Sequence, residues 1–220
     1  LFPHHAQATT ESSLKHAHKQ LKAMNWKPSI LELPHFPSDP AFIEPLANSI
    51  RPHLSDGTHL LFSYHGLPIS HVKRSDSSGN HCQKADHCCS IGVEGNAMCY
   101  AHHCMLTTLS VVGALGLDEL DWSISYQSRL GPAKWLQPST TKVVENLAEN
   151  GKTKVVIVSP AFLADGLETL EELNIEIREH FIAHGGQELT VVNCLNDDPN
   201  WIKGLGHLVE NAFSKPMPTS

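Results

Sequence analysis

The stretch Leu60-Leu-Phe-Ser-Tyr-His-Gly-Leu-Pro68 decides how the chain is read. Leu60 to Phe62 form a short apolar run, and Gly66 and Pro68 break it. The pattern predicts a buried strand that ends in a sharp turn with one polar ring, His65, at its exit. In open α/β sheets, ligands bind beyond the carboxyl ends of the strands. His65 therefore stands where a functional group is expected. The competing reading is a histidine that caps the strand end and bonds a local carbonyl.

Outward from this strand, helix and strand alternate. On the amino-terminal side, Thr9 to Met24 carries Leu14, Ala17, Leu21 and Met24 on one helical face, with Thr9 or Thr10 as its cap. Ser29 to Leu33 is a short strand candidate stopped by Pro34, and Pro40 to Ile50 a helix capped by Asp39. On the carboxyl-terminal side, a polar insertion from Lys73 to Asn96 is too long for a plain loop. A helix over Ala97 to Leu115 follows, then a strand over Trp122 to Tyr126 and a Gly131-Pro132 turn. Next come a helix over Thr140 to Asn150 with Gly151 as C-cap, a strand over Lys154 to Ser159, a helix over Asp165 to His184, a strand over Leu189 to Val192 and a helix over Asn200 to Phe213. The alternation predicts a Rossmann-like parallel sheet with helices on both faces.

The chain has 220 residues, 40% hydrophobic and 18% charged, with a net charge of −7 and no basic stripe. That is enough to bury a core and argues against nucleic acid as a partner. No apolar run approaches the ~18 residues of a transmembrane helix. No secretory signal is visible either, so a cytoplasmic protein is expected, with peripheral contact at a membrane surface left open. Residue 1 is Leu, and Leu1-Phe2-Pro3 reads as the tail of a strand, so part of the parent protein is expected to precede it. Pro216 to Ser220 reads as a frayed tail.

Two clusters carry chemistry. At ~100° per residue, Asp165, Glu168, Glu172 and Glu176 fall within an arc of roughly 80°. Leu163, Leu167, Leu170, Leu173, Ile177 and Phe181 take the opposite face. An acidic face in water, helped by the helix dipole, accounts for Glu172 and Glu176 alone. Glu168, one turn from a strand exit that shares an edge with His65, fits better as a ligand. Imidazole plus carboxylate suits a cation such as Fe²⁺. The second cluster is cysteine: five of six (Cys82, Cys88, Cys89, Cys99 and Cys104) fall in one short segment, while Cys194 stands alone. In a reducing compartment such a cluster reads as metal-binding. Four thiolates suit a 2Fe–2S cluster or Zn²⁺, leaving one spare, with Cys88 and Cys89 the ambiguous pair. His81, His87, His102 and His103 interleave them as further candidate ligands, most of them expected in solvent.

These motifs together resemble the ferrochelatases. Ser63-Tyr-His-Gly-Leu-Pro68 resembles that family's catalytic-histidine motif. Tyr126-Gln-Ser-Arg-Leu-Gly-Pro-Ala-Lys-Trp-Leu-Gln-Pro138 resembles its Gln-Ser-Arg segment, and Ser159 to Glu172 its acidic helix. Asn193-Cys-Leu-Asn196 with Pro199 is similar to its last loop, and Leu1-Phe-Pro-His-His5 to a strand end in mid-chain. The resemblance implies insertion of Fe²⁺ into a porphyrin, protoporphyrin IX or coproporphyrin, in the cleft between two similar Rossmann-like domains. It implies that residues 1–34 end the first domain, that 35–213 form the second with a Cys-rich insertion at 73–104, and that 214–220 are a tail. It implies His65 and Glu168 as the catalytic pair at the metal-insertion point, with Asp165, Glu172 and Glu176 as acids along the same helix serving metal or protons; His65 can either accept a proton or hold the iron, and the role of proton acceptor is the one expected here. Tyr64, Gln127, Ser128, Arg129 and Trp135 are implied as porphyrin contacts. Gly166 departs from the Cys or His often found there. A 2Fe–2S cluster on the cysteine segment is implied by similarity to cluster-bearing bacterial members, with Zn²⁺ as the alternative. Two other readings compete: a cobalt or nickel tetrapyrrole chelatase, and a non-catalytic iron-sensing module.

Overall fold

A computed structural model describes residues 2–84, 88–90 and 92–214. Leu1, His87 and the tail from 215 onward lie outside the described residues, and with them the strand end expected to begin at Leu1 and one candidate ligand.

Strand β1 (Thr58–His65) is the axis of the sheet. It pairs in parallel with β2 (Trp122–Gln127) on one side and β3 (Lys154–Val158) on the other, and β4 (Glu188–Val191) flanks β3. Successive side chains of a strand point to opposite faces. Leu60, Phe62 and Tyr64 therefore enter one core, shared with α2 (Pro40–Ile50), α4 (Tyr100–Leu115) and α7 (Pro199–Ser214). Leu61 enters the other, with α5 (Thr140–Glu149), the acidic helix and its continuation α6 (Arg178–Ala183). Both faces are covered, as the continuous apolar runs require.

Local chemistry sets these elements. The Asp39 carboxylate accepts from the Ala41 N–H at 2.9 Å and starts α2, as expected. Pro45 lies inside α2 and supplies no N–H to the carbonyl of Ala41 four residues back. That carbonyl is where α7 comes closest: a Cβ on Gly204 would sit 2.3 Å from the Ala41 oxygen. Only glycine permits this approach. Gly151 and Gly185 end their helices with φ of +80° and +102°.

Three expectations are corrected. Ser29 to Leu33 forms no strand: Pro28 and Pro34 remove donors at both ends, and Ile30 is exposed. The first helix begins at Gln7 as a wide turn (Gln7–Glu11) leading into α1 (Ser12–Ala23), without a side-chain cap, so Thr9 and Thr10 lie inside it. None of its residues is buried, and Met24 is 68% exposed. The acidic helix is also wider than an α-helix over Glu168–Ile177, with i→i+5 hydrogen bonding, before α6 resumes the ordinary pitch. With more than four residues per turn, the buried face recurs at every fourth residue: Thr169, Leu173, Ile177 and Phe181. Leu167 and Leu170, assigned to that face by α-helical spacing, are 74% and 55% exposed.

Candidate active site at the sheet edge

β1 outlasts its neighbour β3 and ends opposite Gln127, so His65 emerges at the carboxyl edge beside the exit of β2. The turn after it is tight. The Gly66 N–H donates to the Gln127 carbonyl at 2.8 Å, and a Cβ at Gly66 would meet that oxygen at 2.7 Å. The chain then pairs with a second loop: the Ile69 N–H bonds the Lys134 carbonyl at 2.8 Å, and the Leu136 N–H bonds the Leu67 carbonyl at 3.0 Å. This pairing sets Trp135 opposite Pro68, and the indole N–H donates to the Leu130 carbonyl at 3.1 Å.

His65 itself is fixed from three sides. The Tyr100 hydroxyl donates to its carbonyl at 2.8 Å, and Phe162 stands edge-on to its ring at 6.0 Å. Its Nδ1 lies 2.7 Å from the Gly66 carbonyl. A carbonyl only accepts, so in the neutral ring the hydrogen is on Nδ1 and Nε2 keeps its lone pair. The local carbonyl bond of the competing reading is present, and it is what orients the ring.

His65 lines a cleft of about 520 Å³ with Ser128, Arg129, Leu130, Trp135, Leu167, Glu168, Glu171, Glu172 and Glu176. That size falls in the usual range for small-molecule sites. Glu168, Glu172 and Glu176 thus line one cleft with His65 and with Trp135, the acids expected there from their spacing and the indole from the family resemblance. Glu172 also shapes the cleft: its two oxygens accept from the Ser128 N–H at 2.7 Å and the Ser128 hydroxyl at 2.6 Å. Ser128 is held at φ +60°, a left-handed conformation uncommon for a residue with a side chain. Arg129 remains exposed at the rim as a cationic contact. On its other flank, His65 borders an apolar recess of about 220 Å³ that includes Phe2, Leu67, Tyr100 and Phe162.

Three expected site residues lie elsewhere. Tyr64 is fully buried on the opposite face of β1, where its hydroxyl meets Thr108 at 2.8 Å, because strand alternation turns it away from His65. Gln127 is 3% exposed; its side-chain oxygen Oε1 accepts from the Ser63 hydroxyl at 2.6 Å and its Nε2 reaches the Glu168 carbonyl at 3.5 Å. It supports the start of the acidic helix from beneath. Asp165 is absent from the cleft lining. Its carboxylate accepts from Thr169 at 3.0 Å, the Cys194 N–H at 3.1 Å and Asn196 at 2.7 Å. Burial opposes ionisation there, but the bonds from Asn196 and Cys194 outweigh it and hold the carboxyl below its ordinary range. Glu171 was missed, because helical spacing puts it off the stripe of Glu168, Glu172 and Glu176, yet it too lines the cleft. At Gly166 a Cβ would meet nothing but the Glu168 carboxylate, at 3.3 Å, so a larger side chain there would abut that group.

The insertion is organised by Asp76. Its carboxylate accepts from the N–H groups of Ser78, His81 and Cys82 and from the Ser78 hydroxyl, which holds it well below its ordinary range. All six cysteines are free thiols. Cys88 and Cys89 sulfurs lie 3.7 Å apart. Cys89 hydrogen-bonds Cys99, whose thiol is lowered to about 6 by that bond and by the N–H groups of His102 and Ala101 at the start of α4. Burial pushes the Cys82 thiol up to about 11, with Cys99, Cys88 and Asp76 adding to it. Cys104 is fully buried beside Tyr100 and its thiol is raised well above the ordinary range. The interleaved histidines brace backbone. His81 bonds the Cys88 carbonyl at 2.6 Å, His102 the Cys89 carbonyl at 2.7 Å and His103 the Ala97 carbonyl at 2.9 Å. His102 and His103 are buried, against the expectation of solvent exposure.

The chain is similar to known proteins along almost its whole length. The chain is 39% identical over 213 residues to a ferrochelatase from Pseudomonas syringae pv. tomato, covering 96% of this chain and 63% of that protein. It is 40% identical over 214 residues to one from Pseudomonas fluorescens, with the same shares covered. It is 35% identical over 218 residues to one from Pseudomonas aeruginosa, covering 99% and 64%. The chain thus spans a little under two thirds of the length of these relatives. Among solved structures, a putative cobalamin biosynthesis CbiX protein from Marinobacter aquaeolei aligns with a TM-score of 0.43 at 14% identity, covering 72% of this chain and 99% of that one. The ferrochelatase family profile matches residues 1–213, and the chain belongs to the ferrochelatase family.

Proposed function

We propose that this chain carries the metal-insertion site of a ferrochelatase, loading Fe²⁺ into protoporphyrin IX or coproporphyrin with release of two protons. The observation that carries this reading is the bare Nε2 of His65, aimed by the Nδ1–H bond to Gly66, in one cleft with Glu168 and Trp135. The reaction removes two pyrrole protons while a cation enters. A fixed imidazole lone pair is a suitable first acceptor, provided the substrate nitrogens come within hydrogen-bond reach. Glu168, Glu171, Glu172 and Glu176 then offer anionic oxygens for the departing protons or the arriving Fe²⁺. Trp135, Leu130 and Leu167 offer apolar surface to the macrocycle face, and Arg129 a cation to its carboxylates.

Within this proposal, residues 35–213 form the Rossmann-like unit that bears the site, with the insertion at 73–104 and residues 1–34 belonging to a preceding unit. Cys82, Cys88, Cys89 and Cys99 would hold a 2Fe–2S cluster, or Zn²⁺ in its place; the mutual influence of their thiols and the 3.7 Å between the Cys88 and Cys89 sulfurs support a thiolate donor set, with the fully buried Cys104 taken as the spare. Such a cluster, when bound, would supply redox sensitivity and a cross-link for the insertion. Cysteines that pair in no disulfide support a reducing, cytoplasmic location. Among the described residues no helix is long and apolar enough to cross a membrane, while exposed Leu130, Leu167 and Leu170 near the cleft support peripheral contact with a membrane surface.

The test is anaerobic turnover with ferrous iron and each porphyrin, for the parent chain and His65→Ala. The substitution is expected to abolish metalloporphyrin formation while the circular dichroism spectrum is kept. Iron insertion retained in that variant would overturn the role of His65. Turnover with Co²⁺ or Ni²⁺ but not Fe²⁺ would move the chain to another tetrapyrrole, and iron binding without turnover would favour a sensor.

A further inference from the structure

A second group of ligand-type side chains lies outside the cleft, on the opposite end of the same helix. His180 is the last-turn residue of α6, His184 follows four residues later, and Glu145 faces them from α5. One donor atom from each lies within 4.8 Å of the others. Two histidines at i and i+4 on one helical face, joined by a carboxylate, form a donor set for a borderline divalent cation.

The orientation of each donor is fixed. The His184 Nδ1 lies 2.8 Å from the His180 carbonyl, so it carries the hydrogen and Nε2 is left with its lone pair. This is the outer-sphere bond that commonly orients a metal-binding histidine. The His180 Nε2 donates to Glu145 Oε1 at 2.6 Å, and Lys142 donates to Oε2 at 2.8 Å. The bonds from Lys142 and then His180 hold the Glu145 carboxyl low, at about 2, so it is anionic at neutral pH. The His180 and His184 rings stand 4.5 Å apart between centroids. All three residues are partly buried rather than loose in solvent.

We propose that Glu145, His180 and His184 form a binding site for one divalent transition-metal ion, separate from the cleft of His65. The ion takes the place of the hydrogen between His180 Nε2 and Glu145 Oε1, and the His180 ring then carries its hydrogen on Nδ1. His184 Nε2 supplies the third ligand, and water completes the shell. The placement suggests a role: the series Glu168, Glu172, Glu176, His180, His184 advances by four residues at each step along one continuous helical run, so the ion is held at the outer end of the carboxylate row. The site stands on its own donors and does not depend on what reaction the cleft performs.

Co²⁺ is the probe, titrated anaerobically into the whole chain and followed by visible absorption. An imidazole–carboxylate site gives weak ligand-field bands without the intense near-ultraviolet sulfur-to-cobalt band that the cysteines would give. His184→Ala and Glu145→Gln are each expected to remove one bound equivalent and that equivalent's share of the ligand-field bands, leaving any sulfur band and any contribution of the His65 cleft unchanged. Lys142→Ala frees Oε2 and is expected to tighten binding several-fold. Equal stoichiometry in the parent, His184→Ala and Glu145→Gln would overturn the site, as would the loss of the sulfur band alone. His184 is half-buried and sits beyond the last residue of α6, so its replacement leaves the helix core of Leu173, Ile177 and Phe181 in place. Zn²⁺ competition at the same stoichiometry provides the second measurement.

Discussion

At the scale of single residues, His65 and Ser128 divide the work of shaping the cleft. His65 contributes a lone pair because a backbone carbonyl one residue away takes its only ring hydrogen. Ser128 contributes backbone shape because Glu172 holds it in a conformation that costs on the order of 1–3 kcal/mol for a non-glycine residue. Glu172 is therefore doubly placed, as cleft acid and as clamp. Glu172→Gln keeps one acceptor for Ser128 and replaces the other with a donor. The expected result is a loss of turnover of about ten-fold or more, with stability lowered by about 1–2 kcal/mol in urea unfolding. Glu176→Gln, exposed and clamping nothing, is expected to leave stability unchanged within about 0.5 kcal/mol. Similar unfolding midpoints for the two variants would remove the clamp from the account. Gly66→Ala drives a Cβ to within 2.7 Å of the Gln127 carbonyl, and the turn that aims His65 must open. Loss of soluble protein, or of turnover without a change in iron affinity, is the expected reading.

At the scale of elements, the four strands of the sheet were legible, while the strand expected over Ser29 to Leu33, the start of the first helix and the pitch of the acidic helix were not. β1 announced itself by Leu60-Leu-Phe62 and its Gly66 and Pro68 stop, and β3 by Val155-Val-Ile-Val158, because fully buried parallel strands need apolar runs with breakers at their ends. The buried partners of Tyr64 and Gln127 could not be read the same way. Whether a polar side chain beside a catalytic residue faces substrate or core depends on strand phase and on what packs above it. The acidic helix failed for another reason: the period itself was assumed. Read at 3.6 residues per turn, Leu167 and Leu170 belong to the core; at the wider winding both turn away from Leu173 and are exposed. Leucine truncation tests this. Leu173→Ala is expected to cost about 2–5 kcal/mol, as a fully buried leucine does, and Leu170→Ala less than about 0.5 kcal/mol. Comparable losses at the two positions would return the helix to ordinary α-helical phase.

At the scale of the whole molecule, buried histidine sets the response to acid. His4, His59 and His103 are each at most 5% exposed. Burial lowers them to about 3, about 4 and about 4 from an ordinary 6.5, with His103 and His35 adding to the effect at His4 and Lys152 at His59. Unfolded, all three take up protons as the pH falls through 6.5, while folded they do not until about 4. Between these values the unfolded state binds more protons, so stability rises with pH over that window. It is whole above pH 6.5 and declines steadily toward pH 4, where protonation of His59 and His103 in the folded state ends their share. Urea midpoints at pH 7.5, 6.0, 5.0 and 4.0 are expected to fall in sequence with the steepest drop below 6. His59 offers the cleanest isolation of one share, because it lies between the β1 amino terminus and Ser123, on the far edge of the sheet from His65. His59→Asn removes one titrating group and is expected to cut the slope by about a third over the window without changing its upper limit. A slope unchanged in that variant would remove His59 from the acid response, because the carboxylates of Asp76, Glu145 and Asp165, held below their ordinary values, lose their share only below the ordinary carboxylate range and cannot supply a slope above it.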